Sequence, residues 1–182
     1  MYQRLLYLGV CGLALAGIIH IVIILMIPVL GSRDAARQIM STLPELKFQT
    51  IRNDEQGFIS SADPYFEMAV CRFGVGENGV IVAAEKVSHF WSASVYNERG
   101  EVIYSLNDRT AIANHLKLLI VSPVQMAAIR QIQPEELETS IVVETTANSG
   151  FVLIRSLVRD PSLENVTKAF LKSASCEAYE AI

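Results

Sequence analysis

The sequence predicts an α+β fold, a mainly antiparallel, sandwich-like β domain behind one N-terminal transmembrane helix. Three observations carry this. Apolar residues make up 51% of the 182 and charged residues only 19%, yet much of the apolar excess sits in one N-terminal run. Beyond that run, short stretches rich in Val, Ile, Phe and Tyr alternate with polar residues, as half-buried strands do. Between them stand Asn/Gly/Ser turn signals and few helical periods. The organisation read from this is an anchor over 1–31, a juxtamembrane helix and stalk over 32–62, and a globular domain over 63–182.

From Leu5 to Leu30 no residue is charged at neutral pH, His20 apart. As a helix the run would be roughly 39 Å long, against a hydrocarbon core of about 30 Å. Ala14-Leu15-Ala16 has the small-x-small form of a signal-peptidase site, but Gly17 and further apolar residues follow it where a polar mature start belongs. Leu8-Gly9-Val10-Cys11 is a poor lipoprotein box, with Val10 too large before the cysteine. An uncleaved signal anchor is therefore the expectation. Gly9, Gly12, Ala16 and His20 fall on one helical face, a candidate packing face for a membrane-protein partner, or small residues of a lone anchor.

Only Arg4 of the 15 basic residues precedes the run, and none of the 19 acidic ones does, so the remainder carries 14 positive against 19 negative side chains. No block of Lys or Arg occurs. Nucleic acid is excluded as a partner on this balance, and the expected partner is the lipid bilayer itself. Arg33 and Arg37 just after the run favour a cytoplasmic domain by the charge rule. The very short N-terminal tail favours an exported one, and export is the expectation.

Ser32 to Leu43 reads as a helix or helical extension, with Ser32 or Asp34 as cap and Pro44 as its end. Glu45 to Ala62 is a polar stalk with room for one strand, and Asp63-Pro64 opens the domain. Tyr65 to Phe73 is a strand with Phe66, Met68 and Val70 on one face. Val80 to Ala84 is the next. Phe90 to Tyr96 and Val102 to Leu106 make a hairpin around Asn97-Glu98-Arg99-Gly100, where the glycine can take positive φ. Leu116 to Val121 is a further strand. Ser122-Pro123-Val124-Gln125 is a helix start, with serine as cap, proline at the first position and glutamine three residues on. That helix runs to about Gln131, and Pro134 to Leu137 is a turn. Ser140 to Thr146 and Phe151 to Leu157 are expected to form a second hairpin around Ala147-Asn148-Ser149-Gly150. Asp160-Pro161 caps a last helix, Ser162 to Ala174, with Leu163, Val166, Phe170 and Leu171 on its buried stripe.

No catalytic constellation emerges. Gly74-Val75-Gly76-Glu77-Asn78-Gly79 matches the dinucleotide-loop pattern letter for letter, but β-branched residues follow where a helix must start, so a glycine-rich turn explains it better. His89 and His115 lack metal-type partners, so neither a metal nor a cofactor is expected. Asp108 and Arg109, at a strand end, are candidate binding residues, with a turn and local ion pair as the alternative. Trp91, the one tryptophan, and Arg155 complete the candidate binding set, although the alternation around Trp91 favours a core position. Cys71 and Cys176 flank the domain and form a candidate disulfide if it is exported. Cys11 lies in the anchor.

The order of elements resembles the bacterial envelope family called domain of unknown function 1254. The residues that carry the resemblance are Asp63-Pro64-Tyr65, Phe90-Trp91-Ser92 before the turn at Gly100, Arg109-Thr110, the apolar strand ending at Pro123, and Ile154-Arg155-Ser156 before Asp160-Pro161. It covers about 110 residues, and Ile154 stands where a glycine commonly precedes the arginine. The resemblance implies a short, single-unit member held in the bacterial inner membrane with a periplasmic, β-rich domain, and it transfers no catalytic residue. A non-enzymatic binding or accessory domain is the expected function. The alternative is an anchored enzyme acting on an envelope substrate, which requires Asp108, Arg109, Arg155 or His89 to converge in a cleft.

Overall fold

The computed structural model describes residues 2–51, 63, 65–85 and 88–180. Residues 52–62 of the expected stalk and Pro64 of the opening turn lie outside them. Helix α1 spans Tyr2–Thr42 and continues through Pro28. An 18-residue window within it has a mean hydropathy of 2.8 and no buried residue, so α1 is long and apolar enough to cross a membrane. The segment from Ser32 is thus a continuation of this helix and has no N-terminus of its own to cap. The backbone amide of Leu43 still bonds back to Ile39 at 3.1 Å before Pro44.

The last turns of α1 are not exposed like the rest. Ala36, Ile39 and Leu43, spaced three and four apart, form one stripe and are buried. They pack with Ile51, Met68, Val70 and Phe151 on the outer face of a five-stranded sheet. That sheet has the order β1-β2-β8-β4-β5, where β1 is Phe48–Ile51, β2 Phe66–Gly74, β4 Trp91–Asn97, β5 Val102–Asn107 and β8 Ser149–Leu157. Every pair in it is antiparallel. Strand β2 shows why alternation alone understates burial. Met68 and Val70 face α1, while Ala69, Cys71 and Phe73 face the sandwich interior.

The second sheet has the order β7-β6-β3-β9, built from β3 Gly79–Ala84, β6 Leu116–Val121, β7 Ile141–Glu144 and β9 Ala174–Tyr179. Its outer face is covered by α2, Pro123–Ile132, through Ile129 against Leu119 and Val121. The capping box read from the sequence forms as expected. Ser122 Oγ accepts from Gln125 N, and Gln125 Oε1 accepts from Ser122 N. Helix α3, Glu164–Lys172, places Phe170 and Leu171 in the main core, where the Phe170 ring meets Trp91 with centroids 5.8 Å apart.

The structure corrects two expectations. First, Ser140–Thr146 and Phe151–Leu157 are not a hairpin. Strand β7 runs parallel to β6 in one sheet, while β8 lies in the other between β2 and β4. The connection through α2 makes β6-α2-β7 a crossover unit, which brings β7 back parallel, and Ala147–Gly150 then carries the chain between sheets. Second, the last helix ends at Lys172, and Ala174–Tyr179 is a strand paired with β3. Pro161–Leu163 form a 3₁₀ turn ahead of it, Val166 is exposed, and Thr167 takes the buried position. The run Gly74 to Gly79 is, in line with the sequence reading, a short connection with a strand and not a helix after it, and it joins two strands of different sheets. At Gly79 a Cβ would lie 3.0 Å from Val121 Cγ1 and 3.2 Å from the Ile120 carbonyl oxygen, a tight fit that a side chain could take only if the neighbouring strand gave by a few tenths of an ångström.

Cys71 of β2 and Cys176 of β9 are joined by a disulfide with Cα atoms 6.6 Å apart. Because β2 and β9 belong to opposite sheets, the bond staples the sandwich across its interior along the side bounded by β1 and β9.

Candidate functional site

The residues singled out in the sequence do not converge. Trp91 is fully buried, because the β4 alternation turns it inward with Ala93 and Val95, so it is core and not part of a binding surface. Asp108 and Arg109 sit in a turn after β5 that is organised by Asn107. The Asn107 Oδ1 accepts from the backbone amides of Arg109 and Thr110, both at 3.1 Å. The ion pairs among the described residues do not include Asp108 or Arg109, so an Asx turn replaces the expected local ion pair. Arg155 lies half-buried on the outer face of the first sheet, in register with Met68 on one side and Ser92 on the other. His89 and His115 are exposed, and no group of three metal-ligating side chains exists among the described residues. Gly9, Gly12, Ala16 and His20 lie on the bare part of α1, where among the described residues nothing beyond the helix's own adjoining backbone comes within 4 Å of a Cβ built at either glycine.

Two cavities flank the open sides of the sandwich. The smaller, about 410 Å³, lies between edge strands β1 and β9, over the disulfide. Phe48, Leu171 and Cys176 line it, with Lys47 and Lys172 among its polar residues. At its margin Leu46 holds a left-handed backbone, φ 57°, fixed by its amide donating to the Arg72 carbonyl at 2.9 Å.

The larger cavity, about 620 Å³, opens on the opposite side, between the β4–β5 loop and the β7–β8 crossover. Its walls are Asn97, Glu98 and Arg99 from the first and Glu144 to Ser149 from the second, with Ile103 as an apolar contribution from β5. Both walls are fixed by their own polar groups. The Asn97 side-chain oxygen accepts from the amides of Arg99 at 2.9 Å and Glu101 at 3.0 Å, while its Nδ2 donates to Glu101 Oε2 at 2.6 Å. Gly100 closes this loop with φ 79°. Across the cavity, Thr145 Oγ1 accepts from the Ala147 amide at 3.0 Å, and the Asn148 carbonyl accepts from Val75 at 2.8 Å. Gly150 allows the crossover to enter β8 against β4, because a Cβ there would lie 2.0 Å from the Tyr96 carbonyl oxygen.

Some of the side chains that line the cavity are by contrast uncommitted. Among the described residues, Thr146, Asn148 and Ser149 make no side-chain hydrogen bond and Glu98 no ion pair; Arg99 pairs at 3.8 Å with Glu101, and Glu144 at 3.9 Å with Arg130. The register places Gly74 opposite Ser149 and Asn97 opposite Gly150, so the cavity caps one end of the first sheet. It is the end at which α1 finishes, because Arg72 donates both to the Leu43 carbonyl at 3.3 Å and to Glu45 at 2.9 Å. Twelve residues of continuous helix, Gly31 to Thr42, separate Leu30 from Leu43, about 20 Å along the axis. The sequence signal for this site was the polar run Thr145-Thr146-Ala147-Asn148-Ser149, which turn chemistry alone also explains.

No family model and no curated protein matches the chain. Among solved structures it is similar to the VPA0106 protein of Vibrio parahaemolyticus, with a TM-score of 0.60 at 12% identity over 81% of this chain and 35% of that one. An uncharacterized protein of Burkholderia cenocepacia aligns with a TM-score of 0.49 at 11% identity, over 84% and 42%. The chain thus spans about a third of the Vibrio protein, and what the two share at this identity is the fold.

Proposed function

We propose that this chain is a single-pass, membrane-anchored binding or accessory protein of the bacterial envelope, with its sandwich outside the cytoplasm. The observation that carries the reading is the unbroken passage of α1 from its bare apolar length into the buried stripe Ala36–Ile39–Leu43. Five residues of helix separate Leu30 from Ala36, a rise of about 9 Å, so the anchor holds the sandwich close to the bilayer as a strut and not as a flexible tether. The disulfide supports export, since such bonds persist in oxidising compartments and are rare in the cytosol. The resemblance to the envelope family points the same way. The small-residue face of α1 is left for another membrane helix. An anchored enzyme needs polar groups gathered at one place, and Asp108, Arg109, Arg155 and His89 line neither cavity described above.

Reporter fusions after Ile182 test the topology. An alkaline phosphatase fusion is expected to be active and a green fluorescent protein fusion dark, with the protein retained in carbonate-washed membranes. The opposite reporter pattern overturns the exported orientation. Mature protein that starts near Gly17 overturns the anchor.

A further inference from the structure

We propose that the 620 Å³ cavity at the α1 end of the first sheet binds a neutral, polyhydroxylated chain, a glycan segment. The inference rests on the binding-domain reading and names its ligand class. The lining decides between ligand chemistries. Thr146, Asn148 and Ser149 offer hydroxyl and amide groups that both donate and accept, the mixture that vicinal hydroxyls satisfy. Ile103 and Ala147 are the apolar residues of the lining, too few to hold a hydrophobic ligand. One arginine against two glutamates repels phosphate and other anions, while Arg130 beside Glu144 offsets the attraction for amines. A neutral hydrogen-bonding ligand remains.

An extended peptide added to β5 is the rival occupant. It would need a regular edge and pockets for alternate side chains. The β4–β5 pairing shifts register between Val95 and Tyr96, beside the cavity, and the lining offers polar groups where such pockets would be. The walls also meet the main requirement for binding a flexible, hydrated chain, which is that ordering is already done. Asn97, Thr145 and Gly150 fix both loops and leave Thr146, Asn148 and Ser149 of the lining unused.

The test uses the full chain in phosphatidylcholine nanodiscs and saturation-transfer NMR with three probes: chitotriose, maltotriose and an alternating Val-Thr hexapeptide. At least one saccharide is expected to show saturation transfer and a saturable titration, and the peptide none. Asn148→Ala and Glu98→Gln, whose side chains make no hydrogen bond or ion pair among the described residues, are each expected to weaken saccharide binding by about five-fold. Their thermal midpoints should stay at the wild-type value. Lys172→Gln, in the other cavity, is expected to leave binding unchanged. Absence of transfer from both saccharides at about 10 mM, a range fixed by weak millimolar affinities, overturns the proposal. So does preferential binding of the peptide, or saccharide binding that neither cavity variant moves. Reporter topology is read separately, so a reversed orientation and a failed titration are distinguishable results.

Discussion

Replacing both bonded cysteines, Cys71→Ala with Cys176→Ala, probes the bond that spans the two sheets. The cross-link closes a loop of 105 residues. In the chain-entropy description such a closure restricts the unfolded ensemble by about 4.8 kcal/mol at 25 °C. That is a third or more of the roughly 5–15 kcal/mol by which a domain of this kind is stable. A loss of that size lowers the thermal midpoint by roughly 10–25 °C for a sandwich of this length. The natural probe is fluorescence of Trp91, the one tryptophan of the chain, which is buried in the same cluster as both sulfurs. The full chain in nanodiscs would be melted in four states: wild type and double variant, each with and without dithiothreitol. Wild type without reductant should stand alone, and the other three should coincide. A double variant melting within about 2 °C of oxidised wild type would refute the reasoning, since it would mean the closed loop does not constrain the unfolded chain. Wild-type protein that binds three equivalents of maleimide after unfolding with no reductant present, where the free Cys11 alone accounts for one, would show that the loop is not closed at all.

Two further perturbations act elsewhere. Gly150→Ala sets a Cβ 2.0 Å from the Tyr96 carbonyl oxygen and 2.9 Å from Phe73 Cζ, and the first of these is ladder backbone that cannot yield without opening the β4–β8 pair. A loss of about 3 kcal/mol or more is expected from urea unfolding, and a wild-type midpoint would mean the strands are not so close. Asp160 caps the turn before α3, and hydrogen bonds from the Ser162 hydroxyl and then from its backbone amide hold the carboxyl below its ordinary value of 3.8. A lowered folded value places the stabilisation above the unfolded pKa and removes it as pH falls through the folded one. Asp160→Ala should therefore lower the midpoint at neutral pH, and the gap to wild type should narrow below pH 3.8. A gap that is constant across that range would rule out the charged cap as its cause.

What the sequence made legible was local. The turn at Asn97–Gly100 was readable because its determinants lie inside it: Asn97 folds back on the following amides, and Gly100 takes the positive φ that other side chains resist. The Ser122 capping box was readable for the same reason. Ala147-Asn148-Ser149-Gly150 is also a polar run ending in glycine, and yet it crosses between sheets. Its first residue is an alanine, which cannot fold back on the following amides as Asn97 does. The distinction is made by β6 and α2, which return β7 parallel to β6 and leave β8 to pair with β2 and β4. The strand Ala174–Tyr179 was hidden for a related reason. Its Ala-Ser-Cys-Glu-Ala-Tyr run has little intrinsic strand preference, and pairing with β3 along with the bond through Cys176 supplies what propensity does not.

The candidate site was hidden by a different mechanism. Reading for chemistry selects charged and aromatic side chains, hence Trp91, Asp108, Arg109 and Arg155. Packing claims the first, because the largest apolar surface in a strand is worth most inside. The Asx turn of Asn107 fixes the backbone around the next two, and the fourth stands alone on the outer face of a sheet. The cavity instead draws on short polar side chains whose usual role is to make turns. In each wall one such residue does make the turn, Asn97 in one and Thr145 in the other, and its neighbours are thereby freed from that task. A loop that spends one polar residue on its own backbone and leaves the next ones unpaired is the pattern to seek in a sequence of this kind. Two such loops must also be brought face to face by strands in opposite sheets, and that condition becomes visible once the β7–β8 crossover is known.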